Sequence, residues 1–120
     1  MKVIAVDRFK PGVTMDTIEP FLAEEVAHAW RLWKKGIVRE NYSRVDQPGV
    51  VLVFEVENAD AAMRLLDEFP MTRAGFLEWT CIPVTVPFPL ESVFTQETRA
   101  RVEMPDSQLE WAKGQKPPAE

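Results

Sequence analysis

Apolar and polar residues follow one another along the chain in a pattern that divides it into strands and helices. Residues 2–9 (KVIAVDRF) partly alternate and are rich in β-branched side chains, which predicts a strand that ends at a Lys10-Pro11-Gly12 turn. Apolar residues then recur with a helical period over residues 17–35, where Pro20 fits only in the first turn. The remaining pattern predicts strands at residues 37–45, 50–56 and 76–86, and a second helix that begins after Asn58 or Asp60.

This order of elements, β-α-β-β-α-β, predicts an α+β fold of the ferredoxin-like type, with two helices on one face of an antiparallel sheet. We assign residues 1–90 to this domain and residues 91–120 to an extended C-terminal tail, because five of the ten prolines lie between positions 87 and 120. Apolar side chains within residues 88–94 predict that this stretch packs on a surface, whereas residues after about 113 are expected to be loose.

The sheet face opposite the helices has no predicted cover of its own. The strand at residues 50–56 (VVLVFEV) is almost continuously apolar, which is typical of burial on both faces. Two copies that pair sheet to sheet would bury these faces, so we expect a dimeric α/β barrel, as a homodimer or a larger assembly. The alternative is a tail that folds back over the sheet.

Charge and composition narrow the functional classes. The 14 basic and 19 acidic residues give a net charge of -5 without a block of like charge, which argues against nucleic acid or a membrane as a partner. No stretch is long and apolar enough to span a bilayer, and no signal peptide is visible. A single cysteine, Cys81, argues against secretion, and with a single histidine it argues against a zinc site. We therefore predict a cytoplasmic domain without a metal.

Glu25 is the first candidate for chemistry. On a helical wheel it falls near the centre of the apolar stripe of the first helix, where a carboxylate is unexpected. It therefore either pairs with a partner or lines a cavity between helix and sheet, where burial would raise its pKa towards the range of a proton shuttle. His28 lies one turn further on, at the edge of the same stripe and within reach of Glu25.

The second predicted strand carries one set of polar side chains on each face. Arg39, Asn41 and Ser43 share one face, and Glu40, Tyr42 and Arg44 share the other. If the first set faces the helices, Arg39 can bind a substrate carboxylate while Asn41 or Ser43 orients a carbonyl. If the second set does, Tyr42 and Arg44 take those roles. Alternation alone leaves both arrangements open.

Several short stretches share residues with one known family. They are Ala23-Glu24-Glu25, Ala29-x-x-Leu32-x-x-x-Gly36, Arg39, Val53-Phe54-Glu55-Val56 and Leu66-x-x-Phe69-Pro70. Over about residues 1–90 the chain thus resembles the muconolactone isomerase family, small ferredoxin-like proteins that form dimeric α/β barrels. That family moves a double bond in a small lactone acid by proton abstraction and return. The resemblance implies that Glu25 is the proton shuttle and that Arg39 anchors a carboxylate.

Three functions fit these observations. The first is a cofactor-independent isomerase of a small lactone or unsaturated carboxylic acid, with Glu25 and His28 as catalytic residues. The second is a cofactor-free monooxygenase of the antibiotic-biosynthesis type, with Asn41, Tyr42 and Trp79 around a polycyclic substrate. The third is a non-catalytic ligand-binding or assembly module. A cavity with a carboxylate and an arginine favours the first, a wide aromatic cavity without a charged anchor the second, and a filled core the third.

Overall fold

The computed structural model describes residues 1–87 and 106–114. Residues 1–85 form one compact unit, and residues 86–120 belong to a second unit that we describe by itself. The first unit contains four strands: β1 (Lys2–Phe9), β2 (Val38–Ser43), β3 (Val50–Glu55) and β4 (Leu77–Val84). Its helices are α1 (Met15–Ile18), α2 (Leu22–Lys34), α3 (Ala59–Leu66) and α4 (Pro70–Arg73).

The four strands form one sheet in the order β2-β3-β1-β4, and every neighbouring pair is antiparallel. The sequence of β1, α2, β2, β3, α3 and β4 along the chain gives the β-α-β-β-α-β order that the pattern predicted. The ferredoxin-like α+β fold is therefore confirmed. Pro83 lies in the edge strand β4, where a residue without an N–H is tolerated.

The first helical segment is divided, whereas the sequence predicted one helix over residues 17–35. A 3-10 turn at Glu19–Phe21 contains Pro20 and separates α1 from α2. Proline has no N–H to donate to the preceding turn, so the α-helical hydrogen-bond pattern is interrupted there. The short helix α4 follows α3 and has Pro70 in its first turn, where a residue without an N–H is tolerated.

The best-packed part of the unit lies between α3 and the centre of the sheet. Val3, Phe54 and Leu66 are completely buried there, and Leu32 of α2 joins the same cluster. Asn58 begins α3 as predicted, because its side chain accepts a hydrogen bond from the Ala61 N–H at 2.8 Å. This core fixes the sheet against α2, which carries one wall of the site described below.

The opposite face of the sheet carries apolar residues from three neighbouring strands. Ile4 pairs with Val53 on one side and with Ile82 on the other, and Val6 pairs with Val51. In β3 three consecutive residues, Leu52, Val53 and Phe54, are buried, which agrees with the continuous apolar pattern of this strand. Ile82 is 46% exposed.

Part of the tail is helical, whereas its prolines predicted an extended segment. The structure has a helix, α5, at Asp106–Gly114. The predicted docking of residues 88–94 and most of the segment predicted to be loose lie outside the described residues, so both stay predictions. No helix in the described parts of the chain combines the length and apolar character needed to cross a membrane.

Candidate active site

A cavity of about 370 Å³ lies between the sheet and the helices of the first unit. Its walls are mainly apolar, and aromatic rings contribute from the sheet and from the end of α3. The polar side chains among its lining residues are Asp7, Glu25, Asn41, Ser43 and Trp79. The volume is within the range of small-molecule sites, and a few polar groups on apolar walls are typical of such sites.

Glu25 lies on α2 and lines this cavity. Its Oε1 accepts a hydrogen bond at 3.0 Å from the backbone N–H of Met71, in the first turn of α4. Burial raises the pKa of the Glu25 carboxyl, the Met71 N–H opposes that shift, and the negative charge of Asp7 raises the pKa further. The carboxyl therefore takes up and releases a proton at higher pH than an ordinary glutamate. Its catalytic role stays a prediction.

Asp7 is a second carboxyl group in the cavity, and it was not among the site residues predicted from the sequence. It is only 3% exposed, and its Oδ1 accepts a hydrogen bond from the Val50 N–H at 2.8 Å. Burial raises its pKa, while the Val50 N–H and the charge of Arg44 act in the opposite direction. The sequence does contain a signal for Asp7 as a site residue. In β1, Asp7 follows Val3 and Ala5 on the inward-facing side, so it is a carboxylate at a core position.

The two polar sets of β2 are separated by the sheet. Asn41 and Ser43 line the cavity, whereas Glu40 and Tyr42 lie on the opposite face, where the Tyr42 hydroxyl donates to Glu40. An irregularity between Val38 and Glu40 shifts the register and interrupts strict alternation.

Arg39 lies at this irregularity and does not join Asn41 in the cavity. Its Nε instead donates to the carbonyl oxygen of Gly36, just after the end of α2, and the residue is exposed. Arg44, from the other set, points back to the sheet: its guanidinium binds Asp46 through two hydrogen bonds of 2.9 and 2.7 Å, and one nitrogen lies 3.4 Å from the Asp7 carbonyl. No lysine or arginine is therefore among the described residues that line the cavity.

His28 and Trp79 occupy different environments. The ring of His28 packs edge-on against Phe69 with 4.4 Å between centroids, and its Nε2 is buried without a hydrogen-bond partner among the described residues. His28 is not part of the cavity wall, so the structure does not bring it together with Glu25 around one ligand. Trp79 does line the cavity, and its Nε1 donates to Thr72 Oγ1 at 2.8 Å.

The cavity wall combines two carboxyl groups with neutral polar side chains. Within residues 1–87 and 106–114, no cluster of three or more His, Cys, Asp or Glu side chains is arranged to bind a metal ion. The carboxyl groups on the cavity wall are those of Glu25 and Asp7, both with a raised pKa, and Asn41 and Ser43 can orient a carbonyl or hydroxyl oxygen.

Comparison with known proteins gives a fold relationship and no sequence family. Neither a protein-family description nor a curated protein matches the sequence. Among solved structures, the chain is similar to 5-chloro-2-hydroxyhydroquinone dehydrochlorinase from Burkholderia phenoliruptrix, in complex with 2,5-dihydroxybenzoquinone. The TM-score is 0.61 at 18% identity, over 71% of this chain and 94% of that one. It is also similar to muconolactone isomerase, with a TM-score of 0.61 at 19% identity, over 72% of this chain and 91% of that one. The chain shares the fold of these proteins.

Proposed function

We propose that the cavity is the active site of a cofactor-independent isomerase that moves a double bond in a small lactone by proton transfer. The observation that carries the proposal is the Glu25 carboxyl, placed in a mainly apolar cavity and with a raised pKa. A carboxyl whose pKa lies nearer neutrality is better able both to accept and to return a proton. The fold shared with an isomerase and a dehydrochlorinase, both of which convert small molecules, is in keeping with this function.

The unsaturated carboxylic acid that we considered as a substrate has less support. An arginine anchor was the reason to expect a carboxylate, and Arg39 bonds to Gly36 outside the cavity. A lactone carbonyl needs only neutral donors, and the amide of Asn41 and the hydroxyl of Ser43 are such donors on the cavity wall. His28 is left without a direct role, since it packs against Phe69 instead of lining the cavity.

The volume and the carboxyl groups distinguish the three candidate functions. A filled core, expected of an assembly module, does not agree with a cavity of about 370 Å³. A cofactor-free monooxygenase acting on a polycyclic substrate is supported by the rings of Phe9, Phe69 and Trp79. That function gives no reason for two carboxyl groups in the same cavity, and Tyr42, one of its expected residues, lies on the other sheet face. Proton transfer therefore has the stronger support.

Ligand-induced thermal shift with a panel of small lactones and quinols tests the proposal. A ligand that binds only the folded protein raises its melting temperature. We expect a lactone of the panel to raise the melting temperature and to be isomerised. The substitution Glu25→Gln should reduce turnover of that lactone about a hundredfold or more without loss of fold. Glu24→Gln is the matched control, because Glu24 is the exposed neighbour on the same helix. Full activity of Glu25→Gln would refute the role of Glu25.

The proposal includes a homodimer in the cytoplasm. Apolar residues on the open sheet face, Ile82 at 46% exposed among them, support pairing of two sheets. The single cysteine, Cys81, is free, as is typical of a reducing compartment. Light scattering of dilute protein should give a mass of at least twice the chain mass of 13.7 kDa. The substitution Ile82→Lys should reduce this measured mass. A monomer at micromolar concentration would refute the dimer.

A further inference from the structure

Asp7 and Glu25 face the same cavity from two different walls. Asp7 lies on β1 in the sheet, and Glu25 lies on α2 in the helical layer. Each carboxyl has one oxygen fixed by a backbone N–H, from Val50 for Asp7 and from Met71 for Glu25. Among the described residues no donor binds the second oxygen of either group, and neither of these oxygens is sealed away from contact. Both groups thus offer one free oxygen to a ligand.

The charges around the two carboxyl groups differ. The Arg44 guanidinium lies beside Asp7, within 3.4 Å of its carbonyl oxygen, and favours the ionised form of Asp7. Among the described residues no such cation lies beside Glu25, which is influenced by the negative charge of Asp7. Two carboxyl groups that share an apolar site do not both ionise readily, so the group beside a cation loses its proton first.

Building on the proposed function, we propose that Asp7 is the base that removes a proton from the substrate and that Glu25 is the acid that delivers one. We further propose that the substrate is an uncharged ring with carbonyl or hydroxyl groups.

The reaction is balanced within the cavity. A C–H bond next to the substrate carbonyl breaks, its proton passes to the free oxygen of Asp7, and its electron pair forms an enolate conjugated with the existing double bond. The O–H bond of Glu25 then breaks, and its proton bonds to the far carbon of the conjugated system, so that the double bond has moved. Asp7 ends protonated and Glu25 ionised. A water molecule that enters after product release returns the proton from Asp7 to Glu25.

The restriction to an uncharged ligand follows from the cavity wall. Its described lining residues include two carboxyl groups and no lysine or arginine. An anionic substrate would lose its hydration and face a negative charge without a compensating cation. The nearby guanidinium of Arg44 is already occupied by the Asp46 carboxylate, at 2.9 and 2.7 Å. A carbonyl or hydroxyl group avoids this repulsion and can bond to either carboxyl.

Hydrogen exchange in D₂O separates the base from the acid. The experiment uses a lactone of the panel that the wild-type protein turns over. Exchange of its C–H hydrogen with solvent and its isomerisation are measured side by side in Asp7→Asn, Glu25→Gln and the control Glu24→Gln. We expect Asp7→Asn to lose both activities about a hundredfold, because no proton is removed. Glu25→Gln should lose isomerisation to the same extent and keep exchange, because Asp7 can still remove the proton and return a deuteron to the same carbon.

Two outcomes would overturn the assignment of the base. Exchange that persists in Asp7→Asn would exclude Asp7 as the base, and exchange that is lost in Glu25→Gln would make Glu25 the base. If Asp7→Asn does not fold, Arg44→Gln replaces it. Within residues 1–87 and 106–114, the charged groups that face Asp7 are Arg44 and Glu25, while its neighbours Val50 and Trp79 are uncharged. When the exchange rate is plotted against pH, removal of the Arg44 charge should shift the rising part of the curve to higher pH. An unchanged curve would refute Asp7 as the base.

A matched pair of ligands tests the substrate class without turnover. 4-Hydroxybenzamide and 4-hydroxybenzoate have nearly the same shape and differ in charge. We expect the wild-type protein to bind the amide at least about tenfold more tightly in calorimetric titration, and Asp7→Asn to narrow that ratio, because one negative charge is removed. Equal or tighter binding of the benzoate, or binding of neither, would overturn the uncharged substrate class. Preference for the amide without turnover of any lactone would refute the isomerase and leave the ligand class supported.

Discussion

Two halves of the layer between helices and sheet differ in how completely they are filled. Under α3, Val3 and Ala5 of β1 are fully buried against Ala62 and Leu66. Further along the same strand, under α2 and the turn of α4, Asp7 borders a cavity. One alternating pattern in β1 thus contributes to a tight core and to a candidate active site. Asp7, a polar residue at a core position, lies where the tight core ends and the candidate active site begins.

The largest difference between the halves should appear on truncation of their apolar side chains. Phe54→Ala removes a completely buried ring from the packed half, and we expect a loss of about 3–5 kcal/mol in the free energy of unfolding. Leu22→Ala removes a side chain from the cavity rim, where Leu22 is 36% exposed, so we expect a loss below about 1 kcal/mol. Urea denaturation measures both. Similar losses would show that the cavity half is packed as tightly as the core.

Gly49 links the cavity wall to the turn between β2 and β3. Its φ is 148°, and a Cβ placed on it would overlap with Asp7 Oδ1. Gly49→Ala should therefore cost about 1–2 kcal/mol or more of stability and displace the Asp7 carboxylate.

Gly12→Ala is the control for this substitution. Gly12 also has a positive φ, of 85°, but no atom of the described residues lies within 4 Å of its Cβ position. The same denaturation measurement should give a smaller loss, and binding of 4-hydroxybenzamide should be unchanged. If binding changed equally in both variants, the close approach to Asp7 would not explain the effect.

The smallest expected effect is on the pH dependence of stability. The Glu25 pKa is raised above its ordinary value of 4.5 by burial, so the unfolded chain ionises this group at lower pH than the folded protein. Its contribution to stability is therefore complete below pH 4.5 and decreases as the pH rises from there to the folded pKa.

The difference in urea midpoint between Glu25→Gln and wild type measures this contribution. The variant should gain stability relative to wild type as the pH rises through that window, because a neutral amide does not ionise. A constant difference across the window would contradict a raised Glu25 pKa in the folded protein.

The sequence predicted the fold and half of the carboxyl pair. Period and turn residues were sufficient for the order of the elements, and the position of Glu25 in an apolar stripe identified a carboxylate facing the sheet. The same reasoning applied to β1 would have identified Asp7. The register irregularity before Glu40 could not be read from alternation, because a bulge depends on how β2 pairs with β3. Arg39 lies at this irregularity and is therefore outside the cavity, although it was predicted to line it. Tyr42 is outside because it lies on the opposite face of the sheet.

Pro83 has a further consequence, for aggregation. An edge strand with free N–H and C=O groups can accept the strand of another molecule and begin a growing intermolecular sheet. Pro83 lies within β4, at one edge of the sheet, and its nitrogen carries no hydrogen. A strand of another molecule that approached β4 would lack a hydrogen-bond donor at position 83. The missing N–H that restricts Pro83 to an edge strand thus also makes that edge a poor template for fibril growth.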